Sequence, residues 1–119
     1  MKHLLSMLLI ATVGMMIFSS CGDDTDDLPL CIQDQLAIFE TEACPTTAGS
    51  LGGNLAIFTF RTETVYCFNW GSCRPDKTIE IWSATCGLIC ELGGPGSETV
   101  CDGVPWEGNA QEESVVFQN

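Results

Sequence analysis

The chain has 119 residues, enough for one domain, and sixteen carboxylates against four Lys and Arg give a formal net charge of −12. A polyanion of this kind repels phosphate, which argues against nucleic acid as a partner. Its one histidine, His3, stands in an N-terminal stretch with the layout of a cleaved leader. The rest of the chain therefore lacks the Ser-His-Asp and Cys-His forms of catalysis and His-ligated zinc.

That leader comes first. Lys2 and His3 open it, Leu4 to Phe18 is nearly all apolar, and the small residues Ser19 and Ser20 close it. The apolar run is shorter than the roughly 20 residues of a spanning helix. Residues 1–20 thus read as a secretory signal peptide. Phe18-Ser19-Ser20-Cys21 resembles the bacterial lipobox, with Phe18 where Leu is usual. The resemblance implies lipidation of Cys21 and cleavage before it. The chain from Cys21 onward sets sixteen carboxylates against Arg61, Arg74 and Lys77, a side-chain balance of −13. Anionic headgroups would repel it, so lipid must supply the membrane attachment, and two or more acyl chains do so stably.

Residues 21–27 read as a solvated acidic tether, because Asp23, Asp24, Asp26 and Asp27 cannot pack. A calcium loop is the competing reading, but the central Gly and closing Glu of an EF-hand are missing. An acidic run directly after a lipidated cysteine resembles the export signal of Bacteroidota lipoproteins. It implies the outer membrane and display on the cell surface, with the periplasmic side as the alternative.

The folded part is expected over residues 28–119. Ile32, Leu36, Phe39 and Ala43 recur at helical spacing, with Asp27 as a cap and Pro29 in the first turn. Cys44-Pro45 marks the stop, since the residue before proline avoids helix. After a glycine-rich loop, Leu55 to Phe60 and Thr64 to Trp70 read as a hairpin joined by Arg61-Thr62-Glu63. Thr78 to Ser83 reads as a third strand. From Cys86 onward, Gly93-Gly94-Pro95-Gly96 and three cysteines read as loop, with Ser114 to Phe117 as a closing strand. The expected class is α+β: one N-terminal helix packed on a small antiparallel sheet, disulfide-stabilised, with a loop-rich C-terminal part.

Seven cysteines follow Cys21, which in a small exported domain reads as a disulfide framework with one thiol left over. A helix over residues 30–42 spans about 20 Å, too far for Cys31 to reach Cys44. Proximity suggests Cys73–Cys86 and Cys90–Cys101, although sequence alone does not fix the pairing. Four-thiolate zinc is disfavoured by an oxidising compartment. Cys86-Gly87-Leu88-Ile89-Cys90 has three residues between its thiols, where exchange enzymes have two beside a helix start. Neither a catalytic group nor a metal nor another cofactor is expected.

Trp70, Trp82 and Trp106 either fill a small core, the preferred reading, or form a ring-stacking surface for a sugar or peptide. Leu28-Pro29-Leu30-Cys31-Ile32, Thr64-Val65-Tyr66-Cys67-Phe68, Gly71-Ser72-Cys73, Leu92-Gly93-Gly94 and Val115-Val116-Phe117 together resemble small uncharacterised surface lipoproteins of Bacteroidota. The resemblance covers most of the folded part and implies no activity. The expected function is a non-enzymatic binding or accessory module for a protein or glycan. The alternative is an inhibitor of an extracellular enzyme such as a protease, favoured if the loop at 91–106 projects. An enzyme of unknown type is a third reading.

Overall fold

The computed structural model describes residues 27–119. The expected signal peptide, Cys21 and the expected acidic tether as far as residue 26 lie outside the described residues.

One helix, α1 (Leu30–Glu42), lies on the sheet. Pro29 is its N-cap, and the Pro29 carbonyl accepts from the amides of Ile32 and Gln33 at 2.9 and 3.0 Å. No side chain caps the start; Asp27 does not take the role expected of it, and Gln33 instead donates through Nε2 to the Leu28 carbonyl at 2.8 Å. At the other end Ala43 turns extended, with its amide still bonded to the Phe39 carbonyl at 2.8 Å. Pro45 stands two residues on and cannot continue a helix. Ile32, Leu36 and Phe39 form the buried stripe.

The sheet has five strands in the order β4-β3-β2-β1-β7, every neighbour antiparallel. These are β1 (Asn54–Phe60), β2 (Glu63–Asn69), β3 (Ile79–Ser83), β4 (Leu88–Leu92) and β7 (Ala110–Gln118). A two-stranded ribbon, β5 (Val100–Cys101) with β6 (Val104–Pro105), stands beside it. The expected α+β architecture is therefore present. Two details differ from the sequence reading. The segment after Cys86 contributes the edge strand β4, and the closing strand runs over nine residues. A five-residue strand between glycine-rich turns shows too little alternation to be recognised. The turn before β4 needs a positive φ at Cys86 (68°) and is held by Ser83 Oγ, which accepts from the Gly87 amide at 3.0 Å.

Alternation along the strands divides the interior into two layers. Leu55, Tyr66 and Phe68 face the helix stripe, and Phe39 lies at the centre of that layer. Its ring centroid is 5.3 Å from Phe68, 4.9 Å from Trp70 and 6.1 Å from Phe117. Phe60, Val65, Cys67, Ile81, Leu92 and Cys101 make the second layer. Arg61-Thr62 joins β1 to β2 with both residues left-handed (φ 53° and 67°), the twist that a two-residue hairpin requires. The Arg61 guanidinium holds the turn to Asp102 at 3.0 Å.

Three disulfides tie these parts together. Cys31 pairs with Cys86 and Cys44 with Cys73, at Cα separations of 5.9 and 5.8 Å. Cys90 pairs with Cys101 at 5.3 Å, as expected. Cys73 and Cys86 are thus both bridged, but not to each other. The extended strand β3 lies between them and separates them by more than a disulfide can span. Each instead meets one end of α1. Beside the Cys44–Cys73 bridge, Gly71 has φ 95°, and a Cβ there would lie 2.7 Å from the Cβ of Cys44. Only glycine meets both demands.

Candidate functional site

The sheet face away from the helix carries a cleft of about 410 Å³. Its floor follows from strand alternation: Ala56 and Phe58 from β1, Cys67 from β2, Ile79 from β3 and Leu92 from β4. Asn54 and Asn69, opposite each other in register, line it at one end. Glu98, Thr99, Trp106 and Glu107 come from the segment between β4 and β7, and Glu112 from β7. The volume lies in the range of small-ligand sites, and an apolar floor with a few polar groups is the usual composition of one.

The walls are fixed by local chemistry. Gly93 and Gly94, both left-handed (φ 68° and 70°), turn the chain off β4, and the Gly93 amide bonds the Glu98 carbonyl at 2.8 Å. The Glu98 carboxylate accepts from the amides of Thr99 and Val100 at 3.1 and 3.0 Å. The Cys90–Cys101 bridge then draws the β5–β6 ribbon onto the sheet. The Trp106 amide bonds the Thr99 carbonyl at 3.0 Å, and its ring packs 5.2 Å from Phe58 and 5.0 Å from Phe60. Trp106 is therefore a positioned wall rather than a free side chain.

Trp70 and Trp82 are elsewhere. Both pack against the helix-side layer, so the sheet separates them from Trp106, and the three do not share a surface. Trp70 donates its indole N–H to Glu80 at 3.1 Å, and the Lys77 ammonium lies 5.0 Å above its ring. That arrangement occupies both its polar edge and one face. Of the three tryptophans proposed as a surface, only Trp106 lines this cleft. Phe58, Glu107 and Glu112 were not foreseen as site residues. The signal for Phe58 was available, since Ala56, Phe58 and Phe60 alternate with Leu55 and Ile57. Glu112 could be placed only once β7 was known to begin at Ala110.

Cys67 is the thiol left over from the three bridges. It is 8% exposed, and its thiol is pushed up from 9.0 to about 12, first by burial and then by the carboxylate of Glu112. Protonated and enclosed, it is a poor nucleophile at neutral pH. The sign of the linkage follows. Between the unfolded value of 9.0 and the folded value of about 12, the unfolded chain releases this proton and the folded chain keeps it. Stability that is fully present below pH 9.0 is lost as pH rises through that window, at up to about 1.4 kcal/mol per pH unit. Tyr66, also raised by burial, acts in the same direction. In scanning calorimetry above pH 9, Tm of the native protein therefore falls more steeply than that of Cys67→Val, which retains Tyr66. Parallel curves would refute the assignment.

An adjoining hollow shares Asn54, Asn69, Ile79 and Gly93 with the cleft and is lined further along by Arg74 and Lys77. Directly after Gly94, Pro95 to Val100 is exposed along its whole length.

No protein-family model matches the chain, and no curated protein or solved structure is detectably similar to it. Among the described residues no helix is long and apolar enough to cross a membrane.

Proposed function

We propose that the protein is a lipid-anchored lipoprotein of the outer membrane, displayed on the cell surface, whose folded part is a binding module for a protein or glycan. The observation that carries the binding reading is the cleft opposite the helix, with an apolar floor, Trp106 held as an aromatic wall and carboxylates at its margin. The anchor reading is supported by the apolar leader ending in Ser19-Ser20-Cys21 and by the acidic run after it. Three disulfides suit a small domain working in an oxidising compartment.

Intact mass of the protein from native membranes tests the anchor. The expected mass begins at Cys21 with acyl groups added, and one thiol is alkylated once the unreduced chain is unfolded. A lipid-free mass would overturn it. The binding reading is tested with glycan and peptide arrays probed by the detergent-extracted lipoprotein and by its Trp106→Ala variant. Loss of Trp106 should abolish the specific signals, and signals indifferent to it would count against the cleft.

One observation favours the second reading, inhibition of an extracellular enzyme. The exposed turn at Pro95–Val100 is braced by the Gly93–Glu98 bridge, the Glu98 carboxylate and the Cys90–Cys101 disulfide. A rigid projecting loop is what an inhibitor presents to an active site.

A further inference from the structure

We propose that the cleft receives a lysine or arginine side chain from an extended basic segment of a partner protein. This rests on the binding reading above and names its ligand class. Glu107 and Glu112 line the cleft and accept no hydrogen bond among the described residues, and Glu98 commits one carboxylate oxygen to the amides of Thr99 and Val100. None of the three cations among the described residues lines the cleft. Arg61 is paired with Asp102, and Arg74 and Lys77 line the adjoining hollow, Lys77 over the Trp70 ring. All three carboxylates stand exposed at the margin of the cleft with no cation of the described residues against them, so a basic side chain that enters meets uncompensated negative charge beside an apolar floor.

A lysine or arginine side chain has an apolar stem and a charged tip, and it buries the first while keeping the second polar. Phe58, Ile79 and Leu92 suit the stem. The rings of Phe58 and Trp106, 5.2 Å apart, offer π faces close to the carboxylates, and a cation is attracted to both. A neutral sugar could stack on Trp106 and bond Asn54 or Asn69, but it would leave the carboxylates without a counter-charge. An anionic glycan would be repelled. The balance of −13 over the chain from Cys21 steers a basic segment toward this surface at long range.

The test is isothermal titration of the detergent-extracted mature lipoprotein with a capped peptide of alternating glycine and lysine, and separately with cellohexaose. Trp106 is observed in parallel by fluorescence against Trp106→Leu. The paired variants are Glu107→Gln with Glu112→Gln, and a control, Glu40→Gln with Glu42→Gln, which removes the same charge from exposed positions on α1. The expected result is peptide binding that weakens with salt, drops about tenfold in the cleft variant and changes less than about twofold in the control. Equal losses in the two variants would mean diffuse attraction to a polyanion and would overturn the inference. Binding of cellohexaose through Trp106, with the peptide silent, would also overturn it while leaving the binding reading intact. If neither probe engages and neither perturbs Trp106, the inference fails for this cationic probe, and the array experiment decides whether the binding reading falls with it.

Discussion

Replacing Cys31 and Cys86 by alanine is expected to cost about 3.5 kcal/mol, and replacing Cys44 and Cys73 about the same, despite sequence separations of 55 and 29 residues. The near equality follows because loop-closure entropy grows only with the logarithm of loop length. With the inner bridge closed, the outer one completes only the segments from Cys31 to Cys44 and from Cys73 to Cys86, a loop of about 26 residues. Conversely, the outer bridge offers the inner one an alternative path of the same length. Removing both bridges should cost roughly 7 kcal/mol, which is within the whole stability of an ordinary domain, so that variant is expected to be largely unfolded. Loss of Cys90–Cys101, which closes 11 residues, should cost about 3 kcal/mol and loosen the wall that carries Trp106. Guanidinium unfolding without reductant ranks the variants. A loss below about 1 kcal/mol for either pair would contradict the loop-closure account.

Phe39→Ala should be the most damaging single apolar truncation, at about 3–5 kcal/mol. Phe39 is 1% exposed and touches three aromatic rings, those of Phe68 and Trp70 at the end of β2 and of Phe117 in β7. Because α1 is bridged at both ends, the helix cannot move freely to fill the space, so the cavity term remains nearly whole. Near-UV circular dichroism should weaken as Trp70 loses its neighbour. Leu30→Ala is the comparison: Leu30 is 77% exposed, so its removal should change stability by less than about 0.5 kcal/mol. A similar loss from both variants would mean that the helix stripe is not where the stability resides.

The helix, the first three strands and the class of the fold could be read directly from periodicity. Ile32, Leu36 and Phe39 mark the stripe, and the hairpin is written in runs of β-branched and aromatic residues. What escaped was non-local. A helix of about 20 Å does keep Cys31 from Cys44. A helix of that length laid along the sheet brings its ends to Cys86 and Cys73, while β3 keeps those two apart. Proximity in sequence could not supply that, because the pairing depends on how the helix lies on the sheet. The same reason separates the tryptophans. Trp82 in β3 is on the helix side and Trp106 on the other, and face assignment requires a register that the irregular segment after Cys86 does not reveal. Arg61-Thr62 shows another limit: two left-handed residues form the hairpin turn without the Asn or Gly that would announce it.

The most direct test of the binding account follows the three indole N–H resonances in ¹⁵N-labelled protein during titration with each ligand that the arrays identify. Trp106 lines the cleft, whereas the Trp70 N–H is engaged by Glu80 and Trp82 packs on the helix side. The account predicts a saturable shift of the Trp106 resonance while those of Trp70 and Trp82 remain in place. Movement of Trp70 or Trp82 with Trp106 unmoved would place recognition on the helix side and contradict it.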